Sequence, residues 1–422
     1  MIRFLLKGIL HDRSRSLLPV VVVTLGVALS VLLTCWIEGI MTDSLRMNAN
    51  FNTGHLKVIT RALAEDESQV TPDVALTGVD TLTRKLAAAF PDIQWVSRIR
   101  FGGLVDFPDS TGNTRAQGPV VGWGIDMVTP GSEEKERFSL EEAVTRGHLP
   151  VRPGEALISE AFASRFGIRT GDRFTLFTST MEGGMALKNF VVSGMVRFGM
   201  NSLDRGSIIA HLEDVRDALR MEDASTEILG YQKNDYDHEA ATTVMTAFNL
   251  TIDTTDLYTP QMIRLKDQGG MADYLDISDR LGGLLVFVFV MAMAVVLWNT
   301  GLLGGLRRYT EFGLRLAMGE EKKHIYRTLL VEALLIGIIG SVTGTLLGLG
   351  VSWYLQEVGL QFGDAMKNAS MMIPTVIRAK IVPSAFYIGF IPGVGAMLLG
   401  NALSGRGIYK RQTASLFKEL EA

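Results

Sequence analysis

Long apolar segments alternate with polar ones along this chain, and their lengths decide which of them can cross a membrane. Leu17–Ile37 and Leu281–Gly305 contain no charged side chain, Leu329–Leu355 contains only Glu332, and Ile381–Leu403 is a fourth apolar run. A helix rises about 1.5 Å per residue, so roughly 20 residues cross the hydrocarbon core. The pattern therefore predicts four transmembrane helices.

The segment between the first two apolar runs has the composition of a water-soluble domain, with turn residues between short apolar stretches. We expect an α-helical membrane protein with four transmembrane helices plus a large external α+β domain inserted between the first and second helices. The predicted segments are an interfacial helix (1–16), transmembrane helix 1 (17–40), the external domain with stalk ends (41–280), helix 2 (281–305), a polar segment (306–327), helix 3 (328–355), an external loop (356–380), helix 4 (381–404) and a tail (405–422).

Lysine and arginine cluster in the segments 1–16, 306–327 and 405–422. Because positive charge is retained on the cytoplasmic side of a membrane, these segments are predicted to be cytoplasmic, with both termini inside. The first is an amphipathic helix lying on the bilayer surface. Pro383 and Pro392 predict a kink in the fourth membrane helix.

Apolar patterning also places elements inside the external domain. The charged run SEEKE after Gly131 and the loop Gly199–Gly206 are candidate crossing points between subdomains. Predicted strands are His55–Thr60, Ile93–Ile99, Pro119–Ile125, Arg173–Thr178, Asn189–Val196 and Ser207–Ala210, and predicted helices are Asp80–Phe90, Leu157–Phe166 and Glu213–Leu219.

Composition and motifs exclude several function classes. The net charge of −4 does not point to nucleic acid, and the single cysteine, Cys35, rules out an intrachain disulfide. No G-x-x-x-x-G-K-[ST] run is present, so nucleotide hydrolysis in this chain is not expected. The six histidines are dispersed without metal-binding spacing. We therefore expect a membrane protein that is not itself an enzyme.

The polar segment between the second and third apolar runs carries a distinctive pattern, R-x-x-E-x-G-L-x-x-A-x-G over Arg308–Gly319. A short helix with apolar and charged side chains is predicted, ending at Gly319. This pattern resembles the cytoplasmic coupling helix of the MacB/FtsX/lipoprotein-release family of ABC transporter permeases. The stretches EALLIGIIGSVTGTLLGLG and GHLPVRPGEALISEAFASRFGIRTGDRFTL are similar to that family's following helix and periplasmic domain. The coupling residues would be Arg308, Glu311, Phe312, Arg315, Leu316, Met318 and Gly319.

The resemblance implies a bacterial inner-membrane permease whose external domain is periplasmic. It implies a dimer of separate ABC ATPase subunits, which would bind ATP and Mg, a second permease copy or a homologue, and a periplasmic carrier or outer-membrane component. The chain itself would hold no cofactor, metal or catalytic residue. Similarity to the lipoprotein-releasing (LolC/LolE-like) permeases implies a lipoprotein or other amphiphile as cargo. The alternative is an FtsX-like regulator that activates a cell-wall hydrolase without transport.

Three further sets of residues are candidates for specific roles. Glycines 340, 344 and 348 have the small-xxx-small spacing that lets helices approach closely, although glycine is also frequent in membrane helices. Glu332 is either an interfacial residue near Lys322, Lys323 or Arg327, or a latch on the coupling helix. The stretch Val196–Gly206 is similar to the lipoprotein-releasing permeases. Its candidate partner-binding residues are Phe198, Gly199, Met200 and Asp204.

Overall fold

The computed structural model describes residues 13–65, 72–198, 201–233, 236–252, 256–268, 271–306, 308–361 and 376–410. The chain divides into two compact units. The helical unit contains the described residues up to Asp43, Ile277–Gln361 and those from Val376 onward, and the sheet unit contains the described residues of Ser44–Asp276. The α-helices are α1 (Arg13–Asn48), α2 (Arg61–Glu65), α3 (Val79–Ala89), α4 (Glu134–Arg137), α5 (Leu140–Ala143), α6 (Glu160–Phe166), α7 (Asn201–Asp204), α8 (Leu212–Leu219), α9 (His238–Asn249), α10 (Met271–Leu306), α11 (Tyr309–Ala317), α12 (Lys322–Val358) and α13 (Met397–Lys410).

Within the described ranges, four helical segments are long and apolar enough to cross a membrane, as the apolar pattern predicted. These segments are Leu17–Thr53, Met271–Leu306, Lys322–Val358 and Pro383–Arg406. In the helical unit, Val23, Val27 and Val31 are fully buried. Because they are four residues apart, they lie on one face of α1. Leu297 of α10 and Ile336 of α12 belong to the same buried cluster.

The fourth membrane segment is the least regular. It begins with a 3₁₀ turn, Pro383–Phe386, and a π-helical turn, Ile391–Ala396, precedes α13. Pro383 and Pro392 lack a backbone N–H and each fall in the first turn of one of these elements, which explains why a regular α-helix does not continue through them. The sequence-based expectation of a kink therefore has its cause in these two prolines.

Ten of the strands in the described part of the sheet unit form one mixed sheet, in the order β12-β1-β11-β3-β4-β9-β6-β8-β5, with β7 pairing with β3 and β8. The β4–β9 and β6–β8 pairs are parallel, and the other pairs are antiparallel. The strands are β1 (Leu56–Thr60), β2 (Leu76–Thr77), β3 (Ile93–Pro108), β4 (Thr114–Ile125), β5 (Val144–Gly147), β6 (Glu155–Ser159), β7 (Arg173–Ser179), β8 (Met185–Val196), β9 (Ser207–His211), β10 (Ala224–Ser225), β11 (Glu227–Gln232), β12 (Pro260–Arg264), β13 (Leu360–Gln361) and β14 (Val376–Ile377).

Alternating burial explains why these segments are strands. From Ala116 to Val121 of β4, buried and exposed side chains alternate, as the period of a strand with one covered face requires. The largest buried cluster of the sheet unit is aromatic-rich. Phe107 packs near Phe174, with ring centroids 5.2 Å apart, and Phe174 stacks on Phe190 at 5.6 Å. This cluster holds α6 and α8 against the sheet, since Phe162 and Val215 belong to it.

One predicted helix is wrong in its first part. Leu157–Ser159 belong to β6, and the helix begins only at Glu160. The apolar run is buried on both faces because Ala156 and Ile158 belong to one buried cluster and Leu157 to another, while β8 and β9 pair with the two edges of β6. The Ser159 hydroxyl accepts a hydrogen bond from the Phe162 N–H at 3.2 Å, so Ser159 is the helix N-cap. The predicted helix therefore joined a buried strand to the short helix that follows it.

Some predictions fall partly or wholly on residues outside the described ranges. These are most of the interfacial helix (1–16), the tail after Lys410, and residues 362–375 of the predicted external loop. At the ends of that loop, β13 pairs with β14 in antiparallel fashion. The Arg378 N–H donates to an Asp43 carboxylate oxygen at 3.3 Å, and the Lys380 N–H donates to the Cys35 carbonyl at 2.8 Å.

Candidate functional site

The short helix α11 lies between two membrane-spanning helices in sequence, and its limits are set by local chemistry. Arg308 precedes the helix, and Met318 follows it. Gly319 has a φ of +91°, a left-handed backbone conformation that favours glycine. Its N–H donates to the Leu316 carbonyl at 3.0 Å. The helix therefore ends at Ala317, and Gly319, which the sequence pattern marked as its stop, closes the turn after it.

The inner face of α11 is buried against its own chain. Tyr309 and Phe312 are 7% and 4% exposed, and they form a cluster with Ile325 and Leu329 of α12. The Tyr309 hydroxyl donates to the Ser404 carbonyl at 2.6 Å. These contacts fix α11 onto the helical unit, so force applied to it would be resisted by a packed core rather than by a loop.

The structure corrects which apolar residues of α11 are available to a partner. Phe312 is buried and therefore cannot serve as an external anchor, while Leu316 is half-buried against the same cluster and offers only part of its surface. Leu314 is 56% exposed and Met318 is 72% exposed. Arg315 is half-buried beside them. The sequence marked the residues as apolar but could not tell which ones the chain itself covers.

Glu332 forms an ion pair with Arg308, the residue that precedes α11. The side chains are 16% and 26% exposed, respectively. The two groups line a cavity of about 500 Å³ that Glu311, Thr300 and Asn401 also border. The sequence suggested Lys322, Lys323 or Arg327 as neighbours of Glu332, whereas the structure pairs Glu332 with Arg308, which was not among them. A role as a latch on the coupling helix remains a prediction, but this contact provides its geometry.

The three glycines of α12 lie against α1. A Cβ at Gly340 would lie 2.6 Å from a methyl carbon of Val23, and one at Gly344 would lie 2.6 Å from the Thr24 carbonyl oxygen. A Cβ at Gly348 would lie 2.8 Å from the carbonyl oxygen of Ala28, again on α1. Real Cβ atoms are essentially never this close to other heavy atoms, so glycine is what permits the observed separation of the two helices.

The candidate partner loop is only partly described. Gly199 and Met200 lie outside the described residues. The Phe198 ring packs edge-on against Phe51, with centroids 5.3 Å apart, and the Phe198 N–H donates to the Asp204 carboxylate at 2.8 Å. These two residues therefore make contacts within the sheet unit. Binding of a partner by the loop remains a prediction.

Sequence patterns missed a charged group in the interior of the sheet unit. Arg98 of β3 and Glu134 of α4 are each fully buried and form an ion pair. Glu134 belongs to the SEEKE run, which had been interpreted as a candidate crossing point between subdomains. Little signal was available in the sequence, because β3 contains Gln94, Ser97, Arg100 and Asp106 besides Arg98. Among the described residues, no group of three or more His, Cys, Asp or Glu side chains comes close enough to hold a metal ion.

Comparison with known families and proteins covers most of the chain. Residues 16–248, more than half of it, match the MacB-like periplasmic core domain, and residues 283–413 match the FtsX-like permease C-terminal domain. The lipoprotein-releasing system transmembrane protein LolC of Xylella fastidiosa (strain 9a5c) is 22% identical over 267 residues, which are 61% of this chain and 62% of that relative. This chain thus spans about three fifths of LolC.

Two further similarities are more limited. The macrolide export ATP-binding/permease protein MacB of Bordetella avium (strain 197N) is 24% identical over 119 residues, which are 28% of this chain and 18% of MacB. The crystal structure of the periplasmic region of MacB from Actinobacillus actinomycetemcomitans aligns with 52% of this chain and 92% of its own, with a TM-score of 0.33 and 10% identity.

Proposed function

Because this chain belongs to the family of ABC transporter permeases with a MacB-like periplasmic core domain and an FtsX-like C-terminal domain, we propose that it couples ATP hydrolysis by a separate cytoplasmic ATPase to movement of its periplasmic domain. The observation that carries the proposal is α11. It is fixed from inside by Tyr309 and Phe312, while Leu314 and Met318 remain exposed on a short helix that also carries Arg315.

This arrangement meets two requirements of a coupling element. An ATPase without a covalent link to the membrane must bind a surface on the permease, and exposed apolar side chains on a short helix are a common way to enter a groove on a partner. The surface must also be rigid enough to transmit force. Burial of Phe312 and the Arg308–Glu332 ion pair both join α11 to α12.

The location of α11 follows from charge. The segment 306–327 contains Arg307, Arg308, Arg315, Lys322, Lys323 and Arg327. By the positive-inside bias, this segment and both termini face the cytoplasm of the bacterial inner membrane, where an ATPase subunit would reach it. We propose two ATPase subunits and a second permease copy or homologue as the other components of the complex.

Purification of the complex with its ATPase tests the coupling surface. Met318→Asp and Arg315→Glu should each lower ATPase co-purification by roughly tenfold, because each places negative charge on the docking surface. Val151→Asp and Arg152→Glu are matched controls, since Val151 is 76% exposed in the sheet unit and Arg152 is also exposed. These controls should bind the ATPase normally. Wild-type binding by both α11 variants would mean that α11 is only a connector.

The cargo is proposed to be a lipoprotein or another amphiphile, on the basis of the similarity to LolC over 61% of this chain. Identification of what co-purifies with the intact complex tests this part separately. An acylated protein or a lipid carrier supports release of an amphiphile. A cell-wall hydrolase bound to the periplasmic domain, with no amphiphile, would instead identify the chain as a transmembrane regulator.

A further inference from the structure

The end of α1 is bound within the sheet unit through its backbone carbonyls. After Asn48 the chain makes a π-helical turn, Ala49–Thr53. The Tyr231 hydroxyl lies 3.2 Å from the Ala49 carbonyl and 3.4 Å from the next one. Carbonyls at a helix end carry the negative end of its dipole and accept hydrogen bonds from side chains. The Ala49 carbonyl also accepts the Gly54 N–H at 2.8 Å, so Tyr231 is its second donor. Side chains of the sheet unit therefore act as the cap of this helix.

Arg98 supplies the strongest of these contacts. One of its terminal nitrogens donates to the Asn50 carbonyl at 2.7 Å and to the Phe51 carbonyl at 3.4 Å. Farther along the same turn, the Gln268 side chain donates to the Thr53 carbonyl at 3.1 Å. Three side chains, from β3, from β11 and from a position shortly before α10, thus bind four carbonyls of one turn, and the first three of these carbonyls are successive.

Arg98 is itself held in a fixed orientation. Its other two nitrogens donate to the two carboxylate oxygens of Glu134, at 2.5 and 3.0 Å, and both side chains are fully buried. Arg137 donates to the same carboxylate at 3.0 Å. The Arg98 guanidinium lies over the Phe138 ring, 4.6 Å from its centroid. A planar guanidinium bound on two sides and one face cannot rotate without breaking several contacts.

Both donors keep the protonation state that these bonds need. Burial acts to lower the pKa of Arg98, but the charge of Glu134 and its hydrogen bond to Arg98 raise that pKa above its ordinary value, so the guanidinium stays charged. Burial raises the pKa of the Tyr231 phenol, so its hydroxyl keeps its proton.

Attaching a helix end through a buried ion pair carries a large desolvation free energy. Removing two charges from water costs about as much as the pair regains, and apolar residues of similar size often give equal or greater stability. Apolar packing also holds elements in place, but it is less directional than a hydrogen bond, whose strength depends on the angle between donor and acceptor. Directional bonds to three successive carbonyls specify the height and rotation of the helix end. The network therefore contributes position rather than net stability.

We propose that Arg98, Glu134 and Tyr231 form a joint that holds the end of α1 in register with the sheet. With this joint intact, a displacement of α1 moves the sheet; without it, the helix end would move relative to the sheet. This proposal rests on the proposed function, because it assumes that α1 is displaced during the ATPase cycle. It assigns the three residues a positioning role that no family comparison specifies.

Tyr231→Phe is the mildest test, because it removes the hydroxyl and leaves the buried ring in place. Tyr236→Phe is the matched control, since the Tyr236 hydroxyl contacts the His238 ring and not the helix end. Arg98→Lys is a second variant that keeps the charge and loses the planar, two-sided binding. Spin labels at Asn52 and Lys233, in a Cys35→Ala background, report the separation of the helix end from the sheet.

The complex is reconstituted in vesicles that carry a fluorescent acylated peptide as the probe. In Tyr231→Phe the peptide released per ATP should fall roughly fivefold, the equivalent of one lost hydrogen bond of ~1 kcal/mol. ATP hydrolysis should stay near wild type, the thermal midpoint should fall by only about 2–4 °C, and the distribution of label separations should become broader. Tyr236→Phe should leave all four quantities unchanged. Arg98→Lys should reduce release further.

The outcomes separate the joint from the proposed function. Lack of ATP-dependent peptide release by the wild-type complex would overturn the proposed function for this cargo class. Wild-type release together with an unchanged release-to-ATP ratio in Tyr231→Phe would overturn the joint. An unchanged distribution of label separations in that variant would overturn it as well, whether or not the peptide is released.

Discussion

Glu332 is a carboxylate near one end of a long apolar helix, and its pairing with Arg308 explains how α12 accommodates it. An unpaired charge at this position would carry a desolvation cost. Because the two side chains keep 16% and 26% exposure, the pair is neither fully buried nor free in solvent. We therefore assign it about 1 kcal/mol, between the values for exposed and buried pairs. The pair joins the start of α11 to α12.

Glu332→Gln should lower the free energy of unfolding by about 1 kcal/mol, since it leaves the guanidinium of Arg308 without its ionic partner. The measurement is thermal or denaturant unfolding of the purified chain in detergent, completed as a double-mutant cycle with Arg308→Gln. Glu357→Gln, an exposed position on the same helix, is the control and should be silent. Additive effects of the two substitutions in the cycle would show that the pair contributes nothing.

At the level of elements, the contact between α1 and α12 depends on glycines spaced by four. A Cβ at Gly344 would lie 2.6 Å from the Thr24 carbonyl oxygen and 2.7 Å from Val27 Cβ. Backbone atoms cannot move aside as the end of a flexible side chain can. The two helices would have to separate, which would also disturb the contacts of Gly340 and Gly348.

Gly344→Leu should therefore destabilise the helical unit by about 1–3 kcal/mol, as overpacking of a tight contact does, without preventing membrane insertion. Gly350→Leu is the matched control, because nothing lies within 4 Å of a Cβ built there. The measurement is the yield of folded chain and of assembled complex for each variant. Equal yields for the two variants would contradict a packing role for Gly344. The spacing of the three glycines would then reflect only how often glycine occurs in membrane helices.

The sequence predicted those structural features that depend on residues close together in the chain, and it failed for features that depend on residues far apart. The four apolar helices and the stop at Gly319 follow from local composition and backbone preference. The assignment of Leu157–Ser159 failed because a short apolar run has no period that separates a buried strand from a helix. Strands β11 and β12 were not predicted, and they pair with β1 from more than a hundred residues away.

In the candidate site as well, contacts between residues distant in the sequence could not be predicted. Apolar spacing in α11 identified anchor residues but could not show that α12 of the same chain covers Phe312 and leaves Met318 exposed. The Arg98–Glu134 pair joins residues 36 positions apart in sequence. Such a pair becomes visible only once β3 and α4 are placed in space. Patterns of neighbouring residues thus predicted many of the helices and strands. Which faces of these elements stay exposed depends on packing between distant parts of the chain.

At the scale of the whole molecule, the chain combines apolar helices with a mixed sheet unit, as expected of a membrane permease with a periplasmic domain. Its family membership rests on residues 16–248 and 283–413, which together cover both units. We propose that α11 binds the ATPase and that the end of α1 attaches to the sheet. Above all, we propose that an ATPase subunit binds directly at the exposed face of α11.

Photo-crosslinking in intact cells tests that claim most directly. A benzophenone side chain is placed at Met318, at the buried neighbour Phe312, or at the exposed position Val151 of the sheet unit. We expect a covalent adduct with the ATPase subunit from position 318, with none from position 312 or 151. Absence of an ATPase adduct from position 318, or an equal yield from position 151, would contradict it.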